Sequence, residues 1–433
     1  MNKKTRFQTY PFVDIILYIT RFNIVNNQES RLNKINPNYL LLLLLCFLCT
    51  TPAIYFITSD NGELSGILSA VIYGVAILGA AFLLNWGAEA AEKDISAGLA
   101  IAFIAIIAVL PEYAVDFSLA WKAADDPSYA PLAIANMTGG NRLLIGIGWP
   151  LILLISWLKF RSSKVALPRN QKIDLSVLLI ASIYALTIPL KGQLDIIDAL
   201  FLPTIFGLYI LVISRQTSEE HDIVGPAQVI AQLPTTTRKI CSALLFIFPA
   251  IIIFLAAEPF AHGLIITGKT AGIDEFFLIQ WVAPLASESP EIAVATILAL
   301  RSRASSALTV LLSSKINQWT LLVGTLPIVY SVSAGELAAL PMDNRQSIEI
   351  VLTAAQSLFA LVLLSSFSFS NKGGITLFIL FITQIIIPLT SARIIFSLGY
   401  IILSGIILFY DRDKRSNILS MPKQFINLTL QKK

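Results

Sequence analysis

Long apolar runs alternate with short polar stretches along almost the whole chain. A helix needs about 20 mostly apolar residues to cross the hydrocarbon core of a bilayer, and runs of about this length predict twelve transmembrane segments. The expected bounds are residues 38–58, 64–86, 96–121, 131–158, 174–190, 195–214, 240–260, 275–300, 305–334, 347–367, 374–390 and 392–410. The pattern therefore predicts an all-α, polytopic membrane protein.

The composition agrees with a membrane protein. Of the 433 residues, 56% are hydrophobic and only 13% are charged, whereas soluble domains average about 25% charged. Cys46 and Cys49 form a CxxC, but it lies in a leucine-rich run without a nearby His or Asp. We interpret both as packing residues, because a redox or zinc pair needs a polar, activating environment.

Basic residues concentrate in alternate loops, which predicts the orientation of the chain. Loop 159–172 carries five Lys and Arg, and the chain ends and the central loop are also basic. By the positive-inside rule we expect both termini to be cytoplasmic. We expect the protein to lie in a plasma membrane. The predicted organisation is a cytoplasmic N-terminal segment 1–37, a membrane half 38–214, a cytoplasmic central loop 215–239, a second membrane half 240–410 and a cytoplasmic tail 411–433.

The two membrane halves share a motif. "AVLPEYAV" at 108–115 and "SESPEIAV" at 287–294 both contain Pro-Glu-x-Ala-Val. They lie on the third and eighth segments, which cross the membrane in opposite directions, so repeat 1 (about 96–158) and repeat 2 (about 275–334) are inverted relative to each other. Inverted repeats with interrupted helices are typical of secondary transporters, whose binding site lies near the midplane.

Each motif places acidic side chains inside an apolar helix. A carboxylate at the bilayer centre costs at least about 2.5–3.5 kcal/mol, so it persists where it lines a cavity or meets a cation. Glu112 and Asp116 share one helix face, as do Glu288 and Glu291, and each motif proline leaves a backbone carbonyl without its helical donor. Oxygen-rich sites of this kind suit hard cations such as Ca²⁺. The partner helices offer further oxygen ligands: Asn136, Thr138, Asn141, Ser313, Ser314, Asn317 and Gln318.

At these residues the sequence resembles the sodium/calcium exchanger superfamily of cation antiporters. Its members carry two inverted repeats, each with a "G-T-S-L-P-E" type helix followed by a "G-S-N" type helix. "AVLPE" and "SESPE" match the first motif, and "ANMTGGNRLL" (135–144) and "LLSSKINQ" (311–318) match the second. The resemblance implies about ten core helices, with one extra helix at each end here, and binding of the transported cation by Glu112 and Glu291.

Some positions depart from the family pattern. Ala108 and Val109 stand where many members have Thr and Ser, while the second repeat has Ser287 and Glu288 there, so Ser287 is a further candidate ligand. Three residues after the second motif, where members often carry an ion-binding Asn or Asp, the chain has Leu144 and Gln318. Several oxygen ligands of a sodium site are therefore expected to be absent.

The identity of the exchanged ions stays open at this point. As the resemblance implies, we expect a secondary antiporter that exchanges Ca²⁺ for Na⁺ by alternating access and without a cofactor. The alternative is exchange of Ca²⁺ or Na⁺ against protons, which the missing ligands favour, since burial disfavours the charged form of a carboxylic acid. Arg142 and Lys315 occupy similar places in the two repeats. Either could stand in for a bound monovalent ion, or both could extend their charged ends to the membrane surface.

Other function classes have less support from the residues. A passive cation channel remains an alternative to an antiporter. No G-x-S-x-G or H-E-x-x-H motif suggests a membrane-embedded enzyme, and neither a Walker motif nor a nucleic-acid-binding pattern is present. We expect inorganic cations and the lipid bilayer as partners, and neither nucleotides nor nucleic acids.

Overall fold

The computed structural model describes residues 37–59, 64–94, 109–215, 223 and 225–430, and nearly all of them are helical. The helices are α1 Pro37–Thr58, α2 Gly66–Ala91, α3 Leu110–Lys122, α4 Ala130–Leu143, α5 Trp149–Phe160, α6 Lys172–Ala185, α7 Ile188–Lys191, α8 Ile196–Ile213, α9 Ala227–Ala231, α10 Thr235–Ala271, α11 Glu275–Leu300, α12 Ala304–Asn317, α13 Val323–Ala334, α14 Asn344–Leu364, α15 Asn371–Ile386, α16 Thr390–Tyr410 and α17 Arg412–Leu430. Short 3₁₀ turns precede α4 and α6 and follow α2.

Eight of the described helical stretches are long and apolar enough to cross a membrane. The predicted all-α, polytopic fold is therefore confirmed. The predicted segment 96–121 lies partly outside the described residues, which resume at Val109, with α3 beginning at Leu110.

Helix α10 is longer than the predicted segment 240–260. It continues past His262 to Ala271, and the hydroxyls of Thr267 and Thr270 donate hydrogen bonds back to carbonyls one turn earlier, which satisfies these polar side chains inside the helix. Gly272, with φ at 68°, ends the helix in the left-handed conformation that glycine adopts without strain.

The second helix of each repeat contains a π-helical turn. Leu144–Gly148 joins α4 to α5, and Gln318–Leu322 joins α12 to α13. In both repeats, 14 residues precede the π turn and 12 follow it. Matching local geometry in two distant stretches of sequence supports the internal repeat, and single π turns often mark functional sites.

Short strand pairs join loops that the charge pattern assigns to the same side of the membrane. Strand β1 (Lys164–Ala166) pairs with β4 (Ser368–Ser370), and β2 (Gln193–Leu194) pairs with β3 (Leu340–Pro341), both antiparallel. The first pair belongs to the predicted cytoplasmic side and the second to the opposite side. The structure therefore agrees with the predicted alternation of the segments.

Close helix contacts depend on small residues. A Cβ at Gly139 in α4 would lie 1.8 Å from the backbone oxygen of Gln280 in α11, and one at Gly263 in α10 would lie 2.6 Å from the amide nitrogen of Ala70 in α2. Small residues let helix backbones approach closely in membranes, where packing drives association. The α4–α11 contact matters most, because it joins the two repeats.

The C-terminal tail contains an amphipathic helix that the sequence analysis did not predict. In α17, Met421 and Phe425 are buried one turn apart, and the Ser176 hydroxyl of α6 donates to the Met421 carbonyl at 2.9 Å. The Lys414 ammonium donates to the carbonyls of Val362 and Leu363 at the end of α14. The tail therefore covers the ends of α6 and α14, and the four-residue spacing of its apolar side chains was the available signal.

Replacing Gly139 with Ala is expected to lower folding yield and melting temperature sharply. The added Cβ overlaps a backbone oxygen that cannot move without displacing α11. The matched control is Gly207→Ala in α8, where a Cβ meets no atom within 4 Å and the higher helix propensity of Ala stabilises by up to about 1 kcal/mol. Thermal unfolding in detergent measures both, and equal melting temperatures would contradict the close α4–α11 approach.

Candidate cation site

Three carboxylates from both repeats converge inside the protein. Glu112 comes from α3, whereas Glu288 and Glu291 come from α11, and one oxygen of each lies within 4.8 Å of the others. Their side chains are at most 3% exposed. The two Pro-Glu motifs, 179 residues apart in sequence (112 against 291), thus meet at one place.

The motif prolines have different local roles in the two repeats. Pro111 lies in the first turn of α3, where a missing N–H removes no helical hydrogen bond. The carbonyl of Ile107 that it was predicted to free lies outside the described residues. Pro290 lies inside the continuous helix α11, where it leaves the carbonyl four residues earlier without its usual donor.

Most oxygens of the three carboxylates lack a hydrogen-bond donor. Among the described residues, none donates to either oxygen of Glu112, to either oxygen of Glu291 or to Oε2 of Glu288. A buried charge without a partner is very unfavourable, so such groups bind a metal, take up a proton or pair with a cation. The arrangement therefore suits a site that holds a cation or protons in turn.

A side-chain amide of the π turn that follows α12 borders the three carboxylates. The Gln318 side-chain amide donates from Nε2 to Glu288 Oε1 at 2.5 Å, and its own Oε1 accepts no hydrogen bond from the described residues. The buried Ser314 hydroxyl also has no partner there. A Cβ at Gly140 would lie 2.9 Å from Glu288 Oε1, so α4 approaches this carboxylate closely at a residue that has no side chain.

Asp116 and Asn136 form a separate buried pair within repeat 1. The Asn136 amide donates from Nδ2 to Asp116 Oδ1 at 2.9 Å, and both residues are at most 3% exposed. Asp116 does not join the three-carboxylate group, although it lies one helical turn after Glu112. Its Oδ2 and the Asn136 oxygen remain without a donor among the described residues, so the pair could still accept from a bound ion's hydration shell.

The other predicted ligands already make contacts within the protein. The Ser287 hydroxyl is 3.4 Å from two carbonyls of its own helix. The Asn317 oxygen accepts from the Tyr113 hydroxyl at 2.7 Å, which ties α12 to α3. The Thr138 hydroxyl donates to Ile134, and the Ser313 hydroxyl lies 3.1 Å from that of Tyr209, within hydrogen-bond distance. These hydrogen bonds hold the side chains within the protein and leave them less available to bind an ion.

Lys315 is fully buried, so the interpretation that it extends to the membrane surface is wrong. Its ammonium group donates to Asn141 Oδ1 at 2.7 Å and lies 4.4 Å from the ring centre of Trp319. Asn141 also donates to the Met137 carbonyl. The second helices of the two repeats therefore meet through a lysine and an asparagine next to the carboxylates.

Arg142 is buried as well, but it belongs to a different cluster. Its guanidinium lies 2.5 Å from Glu349 Oε2 in α14, and Arg393 of α16 lies 2.6 Å from Glu349 Oε1. The ring of Trp281 covers the Arg142 guanidinium at 4.9 Å. Sequence reasoning missed this cluster, although charged Glu349 and Arg393 inside apolar segments were a signal.

The comparisons with known proteins agree with the fold. A family model described as sodium/calcium exchanger protein matches residues 65–215 and 241–390. The crystal structure of the H⁺/Ca²⁺ exchanger CAX is 42% identical in sequence and has a TM-score of 0.86, covering 90% of this chain and 98% of that chain. No curated protein sequence matches the chain.

More distant structures share the fold. The Ca²⁺/H⁺ antiporter YfkE is 14% identical with a TM-score of 0.56, covering 84% of this chain and 99% of that chain. One structure of the sodium-calcium exchanger NCX_Mj is 18% identical with a TM-score of 0.50, covering 74% of this chain and 98% of that chain. Together with the family model, these structures confirm the resemblance and the inverted-repeat fold predicted from the sequence.

Glu349→Gln is expected to lower the free energy of unfolding by about 3–5 kcal/mol, because it leaves two buried guanidinium groups without their carboxylate. The matched control is Glu258→Gln, which removes a carboxylate that is 58% exposed and pairs with Lys122. Exposed pairs contribute at most about 1 kcal/mol. Denaturation in detergent compares the two variants, and similar losses would show that the Glu349 cluster is not a buried ionic contact.

Proposed function

The chain belongs to the sodium/calcium exchanger protein family, and we propose that it is a secondary antiporter that exchanges Ca²⁺ for protons. The cation would bind between the repeats at Glu112, Glu288 and Glu291, and access to it would alternate between the two sides of the membrane. The single observation that carries this proposal is the convergence of three buried carboxylates from two inverted repeats. Members of the family are transporters, so an enzymatic role has no support.

The chemistry of the site suits Ca²⁺. This ion takes six to eight oxygen ligands in a flexible geometry, whereas Mg²⁺ requires a near-ideal octahedron and releases its water reluctantly. Three carboxylates binding through both oxygens would supply six ligands. The free oxygens of Gln318 and Ser314 lie on the adjoining helix and could complete the shell.

The charge of the site is compatible with protons as the coupling ion. Ionised Glu112, Glu288 and Glu291 with protonated Lys315 leave a net charge of about two negative units, which one Ca²⁺, two protons or two sodium ions would neutralise. Leu144 supplies no side-chain oxygen at a position where family members often carry an ion-binding Asn or Asp. The 42% identity to an H⁺/Ca²⁺ exchanger points in the same direction.

Sodium is the second candidate for the coupling ion. The family is described by sodium/calcium exchange, and Asn141, Ser314 and Gln318 retain neutral oxygens at the junction of the repeats. We place the protein in a cell membrane with both termini cytoplasmic, as the loop charges indicate.

The proposed function is tested by Ca²⁺ uptake into proteoliposomes under an outward proton gradient or an outward sodium gradient. We expect proton-driven uptake, with Glu112→Gln and Glu291→Gln each reducing the rate by at least about 100-fold, since a ligand is lost. Glu258→Gln, which changes an exposed carboxylate in the same way, should transport like the wild type. Uptake driven only by sodium would assign the second candidate, and flux without any counter-ion would indicate a channel.

The half-saturating Ca²⁺ concentration is expected to fall as pH rises. Protons and Ca²⁺ compete for the same oxygens, and metal binding releases the bound protons. If two protons leave per Ca²⁺, the apparent affinity increases by about 100-fold per pH unit while both carboxyls are protonated. Ca²⁺ titrations of the purified protein at several pH values measure the slope, and a pH-independent affinity would contradict proton competition.

A further inference from the structure

We propose that Lys315 is the resident cation of the site. Its ammonium group would permanently occupy the place of a bound monovalent ion and balance the negative charge of Glu288. One divalent cation would then neutralise the charges of Glu112 and Glu291. The inference deepens the proposed function and rests on it for the transported ion. The pairing of the lysine with the carboxylates can be tested without transport.

The first support is the position of Lys315 in the repeat. Lys315 lies three residues before the π turn of repeat 2, and Asn141 lies three residues before the π turn of repeat 1. The equivalent residues contact each other, since the ammonium of Lys315 donates to Asn141 Oδ1 at 2.7 Å. Repeat 2 therefore carries a lysine at the place where repeat 1 carries a neutral amide.

The second support is the surroundings of the ammonium group. Lys315 is 0% exposed, and its ammonium group lies against Asn141 and the ring of Trp319. Arg142 pairs instead with Glu349 at 2.5 Å, a carboxylate that it shares with Arg393. Gln318, one turn after Lys315 on the same helix face, donates to Glu288. The lysine is thus the cation that faces the carboxylate site from α12.

The third support is the charge that the site would carry without this lysine. Three ionised carboxylates binding one Ca²⁺ would keep one negative charge, and an unpaired charge in a low-dielectric interior is strongly unfavourable. Such a site would bind Ca²⁺ at least as tightly, because a repelling cation is gone. The protein would change more slowly between the states that open the site to either side of the membrane, because the Ca²⁺-loaded site is no longer neutral.

The test is a double-mutant cycle of Lys315→Met, Glu288→Gln and the combined variant. Both substitutions keep the approximate length of the side chain, and the combined variant restores the charge balance of the wild type. Melting temperature in detergent without divalent cations is the first measurement, and half-saturation and maximal rate of Ca²⁺ uptake are the second. Coupled residues give non-additive effects in such a cycle.

We expect each single variant to melt at a lower temperature than the wild type and the combined variant to recover. In transport, Lys315→Met should have a half-saturating Ca²⁺ concentration no higher than that of the wild type, while its maximal rate falls by about tenfold or more. If Lys315→Met does not fold but the combined variant does, this recovery supports the compensation of Glu288 by Lys315 in the same way.

The results that would contradict the role of Lys315 differ from those that would contradict the proposed function. Additive losses in melting temperature, or a maximal rate of Lys315→Met equal to that of the wild type, would overturn the role of Lys315 and leave it as a support for Asn141. Absence of Ca²⁺ uptake by the wild type would overturn the proposed function, while a coupled melting-temperature cycle would still establish the compensation of Glu288 by Lys315.

Discussion

Charge compensation is the constraint on which the arrangement of this protein depends. Acidic side chains inside a membrane protein need cations, protons or hydrogen-bond donors, because water is excluded from their surroundings. The structure meets this requirement in two ways. Glu349 is bound by two guanidinium groups, Arg142 and Arg393, whereas most oxygens of Glu112, Glu288 and Glu291 have no donor among the described residues. The Glu349 cluster is paired within the protein and stabilises the fold, whereas the group of three carboxylates can bind a mobile ion.

The internal repeat explains why the open cluster forms where it does. Two motifs that cross the membrane in opposite directions bring their Pro-Glu residues together, and the π turns place Asn141 against Lys315 beside them. The Gly139 contact with α11 holds the repeats at the separation this requires. A site shared by two repeats can change its accessibility when one repeat moves against the other, which is the logic of alternating access.

The sequence was sufficient for the fold class and the repeat, and it named Glu112, Glu288 and Glu291, which the structure brings together, because carboxylates inside apolar helices stand out. It did not separate Asp116 from the other carboxylates, since a four-residue spacing fixes a helix face but not the partner across it. Arg142 and Lys315 were treated alike for the same reason. Only the packing of α14 and α16 shows that Arg142 has its own carboxylate, and only the packing of α17 shows that the tail is ordered against α6.

The most direct test is anomalous X-ray diffraction from crystals soaked with Ca²⁺, recorded at a long wavelength. We expect one strong peak between α3 and α11, with carboxylate oxygens of Glu112, Glu288 and Glu291 at about 2.3–2.6 Å. A peak held by the carboxylates of one repeat only, or located away from this cluster, would contradict the claim that the two repeats jointly form the cation site.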